Sequence, residues 1–410
     1  MDSLFTSSFF IDNRKALHER AGNGLIVLAG NGLLQRNGDA TYKFRQDSSF
    51  WYLTGLELPD VVLVMDGDQE FLIVPGRDAV RQAFDGAVDV AALMERSGVA
   101  MVLEEQEGWQ RIRQLLKAAD GQVATLLPPP PYVEHAGLYT NPSRSRLHDE
   151  LTDAGAVVET RDLRSELSAM RAVKQPVEIE ALQKAIDITI DSLEDVASKG
   201  ALQTYTHEYQ AEAELTRAFK LKGASGHAFE PIIVAGKRAC TLHNLAMDGE
   251  IHNDELVQFD VGAEYEQYAA DISRVYSAGT ASERQRAVHQ AVCDAQDYGL
   301  SLLKPGVMLA DYEKKVSQFI GEKLIELGVI KAASDDEVRN YYPHAASHFL
   351  GLDVHDTGPY DKPLQAGMVV TCEPGIYIPE ESIGVRIEDD VLITDEGNRV
   401  LSSRLGRELV

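Results

Sequence analysis

The chain has 410 residues, 44% of them hydrophobic and 25% charged, which is the composition of an ordinary globular protein with room for two or three domains. Its formal charge of −26 argues against nucleic acid or an anionic membrane as a partner, because phosphate binding needs a basic surface. No apolar run reaches the roughly 20 residues of a membrane-spanning helix, and three widely spaced cysteines are typical of reduced thiols, so we expect a cytoplasmic location.

The first part of the chain, to about residue 165, has the pattern of an α/β domain. Its apolar and alternating runs predict strands over 24–30, Val123–Leu127 and Ala156–Val158, a hairpin over 61–74 that turns at Asp66-Gly67, and a helix over Trp109–Ala119. Four prolines at 128–131 predict a stiff connector.

The rest of the chain mixes helices and short strands. Helical spacing and capping signals predict helices over Pro176–Gly200, His207–Lys222, Ser282–Leu303 and Ala310–Leu327. Strands are predicted over Pro231–Ala235, 257–261, 268–276, Met368–Glu373 and Val385–Thr394. We therefore predict an α/β N-terminal domain, residues 1–170, followed by an α+β domain, residues 171–410, with antiparallel strands and helices packed on one side.

The predicted hairpin 257–276 brings two acidic residues together. If it turns near Tyr265–Glu266, Asp260 and Asp271 lie opposite each other on neighbouring strands. Like charges in that position are destabilising, and a shared proton or a bound cation would remove the conflict. A solvated acidic edge is the alternative interpretation of this pair taken alone.

Three later segments carry further ligand-type side chains. Residues 344–356 contain more histidine than core filling explains: His344, His348 and His355. Glu373 ends a predicted buried strand and needs a partner, which a salt bridge or a metal would supply equally well. Arg386 and Glu388 share the polar face of the last predicted strand, where a simple ion pair is the alternative to a metal.

Together these segments supply four carboxylates and one imidazole: Asp260, Asp271, His348, Glu373 and Glu388. About four negative charges match two divalent cations. A ligand set rich in oxygen favours Mn²⁺, with Co²⁺ or Zn²⁺ as alternatives. The predicted cofactor is therefore a pair of divalent cations.

The motifs that hold these residues resemble those of the metallopeptidase family of aminopeptidase P and prolidase. They are F-D-V-G followed by D-I-S-R, S-H-F-L-G-L-D-V-H-D, T-C-E-P-G-I-Y and V-R-I-E-D-D, in the family's order and spacing. The run F-R-Q-D-S-S-F-W-Y-L-T-G (44–55) resembles the aminopeptidase P N-terminal domain, and R-A-V-K-Q-P-V-E-I-E (171–180) the domain junction. The resemblance covers essentially the whole chain. It implies an N-terminal domain of the creatinase/aminopeptidase P type and a catalytic domain with the pita-bread fold.

The resemblance also implies a role for each candidate residue. Asp260 would bind one metal, His348 with Glu373 the other, and Asp271 with Glu388 would bridge them. A hydroxide between the metals would attack the peptide carbonyl, and Glu373 would pass its proton to the leaving nitrogen. The other implied roles are substrate contact and oxyanion stabilisation by His243 and His355, orientation or proton shuttling by His344, and hydrogen bonds around the ligands from Arg386 and Tyr377.

The chain also departs from the family pattern. R-Q-A-F-D-G (81–86) lacks the tryptophan that aminopeptidase P usually carries shortly before a glycine. Before His243, Lys237 and Arg238 stand where a small residue or asparagine is usual, and Asn244 stands where tyrosine is common.

The predicted activity is hydrolysis of the Xaa-Pro bond at the N-terminus of peptides, whose proline nitrogen carries no hydrogen. A prolidase limited to Xaa-Pro dipeptides is the main alternative. Methionine aminopeptidase usually lacks such an N-terminal domain, and a creatinase-like hydrolase lacks the metal ligands. A catalytically inactive peptide-binding homologue would be expected to have lost ligands that all stand here. The expected partners are Xaa-Pro peptides and further copies of the chain, as a homodimer or homotetramer.

Overall fold

The computed structural model describes residues 3–22, 24–67, 69–129, 133, 137–157 and 160–409. The chain divides into two compact units, Met1–Met170 and Arg171–Val410. The predicted fold class, an α/β unit followed by an α+β unit, is confirmed. None of the helices in the described part of the chain is long and apolar enough to cross a bilayer.

The N-terminal unit is built on a six-stranded sheet with the strand order β6-β5-β4-β1-β7-β8. Its strands are β1 Ile26–Ala29, β4 Val62–Asp66, β5 Gln69–Val74, β6 Val102–Glu104, β7 Ala124–Thr125 and β8 Arg161–Asp162, while β2 Gln35–Asn37 and β3 Ala40–Thr41 pair separately. The helices are α1 Ser7–Ala21, α2 Ser48–Thr54, α3 Ala79–Asp85, α4 Val90–Ser97, α5 Glu105–Ala118, α6 Ser143–Asp153 and α7 Arg164–Ala172. The sheet is mixed, because β4 runs antiparallel to both of its neighbours.

Most predicted elements of this unit are present, but its last strand was predicted wrongly. Ala156 and Val157 form no strand, and β8 takes the edge position instead. The backbone N–H of Arg161 donates to Val123 O at 3.1 Å, which places β8 beside β7. Val158 lies outside the described residues, as do two of the four prolines in the predicted connector.

The C-terminal unit contains four small antiparallel sheets and several long helices. The helices are α8 Pro176–Val196, α9 Lys199–Leu202, α10 Glu208–Leu221, a 3₁₀ helix Gly236–Cys240, α11 Glu283–Leu302, α12 Leu309–Glu326 and α13 Asp335–Arg339. The strands are β9 Gly226–His227, β10 Ile232–Ala235, β11 Leu256–Val261, β12 Ala263–Tyr265, β13 Tyr268–Ala269, β14 Ile272–Ser277, β15 Val369–Cys372, β16 Gly375–Ile378, β17 Ile383–Arg386, β18 Asp389–Ile393 and β19 Asn398–Val400.

Local signals account for where the long helices begin. Helix α8 has Pro176 in its first turn and a capping box, and α11 begins with the predicted capping box between Ser282 and Gln285. Helix α8 ends at Val196 rather than at the predicted Gly200, because Gly200 lies in the short helix α9. An apolar core joins α11 and α12 to the sheets β15-β18-β19 and β16-β17, and includes Val292, Val316, Val370, Ile376 and Val385.

The first hairpin of the C-terminal unit, predicted over 257–276, has a different register from the one predicted. Glu266 and Gln267 form its turn with φ of 45° and 71°, one residue later than expected. Asp260 therefore pairs with Ser273 rather than with Asp271. The two aspartates remain on one face of the ladder as diagonal neighbours, because a shift of two residues preserves the alternation of faces.

In the second hairpin of the C-terminal unit, β15 pairs with β18 and β16 pairs with β17. These two pairings form one ladder that is interrupted in the middle. Cys372 pairs with Asp389, and Gly375 pairs with Arg386, so the same register continues across the break. Pro374 lies in the interruption, since it has no N–H to give to a ladder. Continuing the register places Glu373 opposite Glu388, outside regular strand on both sides. The predicted single strand Val385–Thr394 is for this reason two strands, β17 and β18.

Candidate metal and substrate site

A cavity of about 530 Å³ opens in the C-terminal unit. It is lined by all candidate residues except Tyr377, namely His243, Asp260, Asp271, His344, His348, His355, Glu373, Arg386 and Glu388. They come from the two hairpins and from the loops that precede β11 and β15. Side chains from distant parts of the sequence thus converge on one volume.

Three of the candidate ligands could hold a single cation. One ligand atom each from Asp271, His348 and Glu388 lies within 4.8 Å of the other two. His348 Nε2 lies 3.4 Å from Asp271 Oδ2 and 3.3 Å from an oxygen of Glu373. These contacts place Glu373 beside the same group.

The imidazole of His348 is oriented for coordination. Its Nδ1 lies 3.0 Å from the carbonyl oxygen of Phe349, so this geometry assigns the ring proton to Nδ1. Burial, with a smaller contribution from the neighbouring His355, lowers the His348 pKa to about 4. The neutral ring therefore presents the lone pair of Nε2 to the carboxylates, which is the usual arrangement of a metal-binding histidine.

Burial and mutual repulsion raise the pKa values of three of the four carboxylates. Burial raises the pKa of Glu373 to about 8, and burial with the neighbouring Glu388 charge raises the pKa of Asp271 well above its ordinary range. Burial and the charge of Glu373 likewise raise the pKa of Glu388. Asp271 Oδ1 is buried without a hydrogen-bond partner among the described residues. This donor set fits divalent cations, because a cation would satisfy that oxygen and remove the repulsion.

Arg386 is the buried cation of the site, and it pairs with Asp260 rather than directly with Glu388. Its Nε donates to Ser273 Oγ at 3.1 Å, and Ser273 Oγ donates to Glu388 Oε2 at 2.8 Å. The simple Arg386–Glu388 pair considered as an alternative is therefore replaced by an arrangement that spans both hairpins. One guanidinium offsets one of four carboxylates, which leaves negative charge for cations to balance.

A short hydrogen-bonded chain runs from this arginine to a histidine. Arg386 NH1 donates to Tyr377 OH at 2.7 Å, and Tyr377 OH lies 2.8 Å from His344 Nε2. His344 Nδ1 lies 2.8 Å from the carbonyl oxygen of Ala345, and this contact assigns the ring proton to Nδ1. Burial lowers the His344 pKa to about 3, with Arg386 adding to the effect. Tyr377 lies behind the cavity and touches it through its two partners.

Several residues of this site were not predicted from the sequence. Ser273 links Arg386 to Glu388. It follows Asp271 by two residues in the predicted strand 268–276, so the alternation of faces could have identified it. Thr371 Oγ1 donates to Glu373 Oε1 at 3.1 Å. Five apolar side chains also line the cavity, and none of them was predicted as a site residue: Phe229, Ile232, Leu242, Leu245 and Val354.

Comparison with known families gives two matches. Residues 180–395, more than half of the chain, match Metallopeptidase family M24. Residues 10–124 match the aminopeptidase P N-terminal domain.

Relatives of similar length share both parts. The chain is 32% identical to a Xaa-Pro aminopeptidase of Haemophilus influenzae, over 94% of this chain and 92% of the relative. A structure described as a putative aminopeptidase P from Bacillus anthracis superposes with a TM-score of 0.88 at 30% identity, covering 99% of this chain and 97% of the other. Zn-substituted Escherichia coli aminopeptidase P in complex with product superposes with a TM-score of 0.83 at 29% identity, with the same coverage.

Proposed function

Since the chain belongs to metallopeptidase family M24, we propose that its C-terminal unit, residues 171–410, is a metal-dependent exopeptidase that hydrolyses the Xaa-Pro bond at the N-terminus of peptides. One observation carries the proposal. Three buried carboxylates, the half-buried Glu373 and a neutral imidazole converge on a cavity in which the buried Arg386 pairs with only one of the carboxylates, Asp260. The names of the relatives supply the substrate class.

We further propose that two divalent cations occupy the site. Asp271, His348, Glu373 and Glu388 would hold one of them, and Asp260 with the two bridging groups Asp271 and Glu388 would hold the other. An oxygen-rich set of this kind favours Mn²⁺. When bound, such ions lower the pKa of coordinated water towards about 7 and polarise a carbonyl oxygen.

The side chains around the cations have separate tasks. Glu373 would accept the proton of the attacking water at a carboxylate oxygen and return it to the leaving nitrogen. His243 and His355 line the cavity where a substrate carbonyl would lie, and each could donate a hydrogen bond to its developing negative charge. The hydrogen bonds from Arg386 to Tyr377 and from Tyr377 to His344 would hold the His344 ring in one orientation. Its Nδ1 lies 3.6 Å from Glu373 Oε2.

Proline suits this cavity for chemical reasons. The amide nitrogen of an Xaa-Pro bond carries no hydrogen, so the leaving group needs a proton delivered to a tertiary nitrogen. Apolar side chains that line the cavity, among them Phe229, Ile232 and Val354, offer contacts for a proline ring.

The test is an assay of the chelator-stripped protein after resupply with Mn²⁺, Co²⁺ or Zn²⁺ in turn. Three substrates are compared at each step: an Xaa-Pro-Xaa tripeptide, the Xaa-Pro dipeptide and the matching Xaa-Ala-Xaa tripeptide. We expect cleavage of the Xaa-Pro-Xaa peptide that depends on metal and on proline. Activity that survives complete stripping refutes the metal mechanism, and cleavage of the dipeptide alone identifies a prolidase instead.

We also propose a reducing, cytoplasmic location and a homodimeric or homotetrameric assembly. Free thiols at Cys240, Cys293 and Cys372 support the first. The family resemblance supports the second, and light scattering of the purified protein would test it.

A further inference from the structure

The loop that carries His243 into the cavity has little regular structure of its own. It follows the 3₁₀ helix Gly236–Cys240, and residues 242–249 form neither helix nor strand. Leu242, His243 and Leu245 of this loop all line the cavity. Something outside the loop must therefore fix its position if His243 is to meet a substrate reproducibly.

One arginine contacts the loop at two places and ties both to a helix. Arg238 Nε lies 3.1 Å from each carboxylate oxygen of Glu208, the first residue of α10. Its NH2 donates to Asp248 Oδ1 at 2.6 Å and to Asn244 Oδ1 at 3.4 Å. The guanidinium thus joins the middle and the end of the loop to a regular element.

Glu208 fixes the two ends of the same segment. Its side chain is 0% exposed and accepts hydrogen bonds from the backbone N–H of Ala235, before the loop, at 2.8 Å and of Gly249, after it, at 3.0 Å. A Cβ on Gly249 would lie 2.6 Å from Arg238 Nε and 2.8 Å from the carboxyl carbon of Glu208. The close approach explains why glycine stands there.

Arg238 and Asn244 are two of the residues at which the chain departs from the family pattern, and they contact each other. These two departures therefore belong to one hydrogen-bonded group. Removing Arg238 would leave the fully buried Glu208 without its cation and the loop without its shared contact.

We propose that Arg238, together with Glu208, is a positioning pair that fixes loop 241–249 and so holds His243 at the substrate side of the cavity. The effect on reaction rests on the proposed function, whereas the effect on the loop does not. Neither Arg238 nor Glu208 lines the cavity, so the pair acts on substrate binding through the loop and leaves the metal ligands in place.

The test compares Arg238→Ala, Arg238→Lys and a matched control, Arg217→Ala, whose arginine is 64% exposed and pairs with Glu214. For Arg238→Ala we expect KM for an Xaa-Pro-Xaa peptide to rise and kcat to fall, so that kcat/KM drops about tenfold, because a displaced His243 would both contact the substrate less well and stabilise its developing negative charge less well. Bound metal per chain should not change. Lysine should restore part of the loss, and the control should match wild type.

Hydrogen exchange of the peptide covering 241–249 provides a readout independent of activity. It should quicken in Arg238→Ala and stay unchanged in β11, Leu256–Val261. Unchanged exchange and kcat/KM in a folded Arg238→Ala protein overturn the proposal, as does a loss of activity that follows a loss of metal.

If Arg238→Ala does not fold, Asn244→Ala and Asp248→Ala each remove one loop contact and carry the same expectation at about two- to threefold in kcat/KM. Unchanged kcat/KM and exchange in both overturn the proposal. If wild type cleaves no Xaa-Pro peptide, the proposed function fails by itself, and the exchange measurement still decides the loop inference.

Discussion

Without its metals, the protein should become less stable as the pH rises. Carboxylates more often make a protein less stable as the pH falls. Without a cation, burial raises the pKa of Glu373 from 4.5 to about 8. The folded state then holds a proton that the unfolded chain releases. Stability from this group is fully present below about pH 4.5 and is lost as the pH rises towards 8.

The size of the effect follows from the two pKa values. Between pH 6 and pH 8, Glu373 alone should cost about 2 kcal/mol of unfolding free energy. For a unit of this size that corresponds to a fall in Tm of roughly 4–8 °C. Asp271 and Glu388 act in the same direction, because burial raises the pKa of both. With cations bound, proton release on binding makes metal affinity rise with pH, so the loaded protein gains stability over the same range.

The assay is thermal unfolding of stripped and metal-loaded protein at pH 6, 7 and 8. We expect the difference in Tm between the two forms to widen with pH. The Glu373→Gln side chain cannot ionise. In the stripped form, the fall in its unfolding free energy between pH 6 and pH 8 should therefore be about 2 kcal/mol smaller than in wild type. Glu214→Gln, at a side chain that is 46% exposed, should behave as wild type. A stripped protein whose Tm rises with pH, and which Glu373→Gln leaves unchanged, would show that the carboxylates are neutralised within the protein and would refute the reasoning.

Three further substitutions have defined outcomes. Glu388→Gln should weaken metal binding, measured by metal titration, by more than the roughly 10–100-fold that is typical when a partner of a metal ligand is changed. The reason is that an amide is a poor substitute for a carboxylate proposed to contact both ions; unchanged affinity would exclude Glu388 as a ligand. Tyr377→Phe removes the hydroxyl between Arg386 and His344, and should lower kcat about tenfold while bound metal stays constant; loss of metal would mean that the hydroxyl supports the ligands instead. Gly262→Ala places a Cβ 1.7 Å from the carbonyl oxygen of Ala270 and should cost about 3 kcal/mol or more in denaturant unfolding; a stable variant would show that the backbone there can move apart.

Periodic and capping signals predicted the long helices and most strands correctly because both are local. The run from Pro176 carries helical spacing and a first-turn proline, and Ser282 with Gln285 forms a capping box, so α8 and α11 begin where predicted. Helix α7, by contrast, leads across the boundary between the two units and was not predicted.

Strand register was the weakest prediction, and its failure has a definite cause. The turn of the first hairpin lies at Glu266 and Gln267, which both have positive φ although neither is glycine or asparagine. No turn signal in the sequence distinguishes that pair from its neighbours. A turn shifted by one residue moves every cross-strand partner by two, and this replaced the predicted Asp260–Asp271 pair with Asp260–Ser273.

The candidate site was predictable as a set of residues and not as a set of contacts. Acidic and histidine residues in recognisable motifs mark the candidate ligands, but a motif does not say which carboxylate an arginine contacts. Arg386 contacts Asp260, 126 positions away, and reaches Glu388 only through Ser273. The Arg238 contacts likewise depend on how the backbone folds at Gly249, which spacing does not reveal.

The most direct test of the account counts divalent ions per chain against activity. Stripped protein is titrated with Mn²⁺ while bound metal and kcat/KM for an Xaa-Pro-Xaa peptide are measured on the same samples. We predict two ions per chain at saturation and activity that rises with their binding. Full activity in protein that binds no ions, or a saturated protein with ions bound away from Asp271, His348 and Glu388, would contradict it.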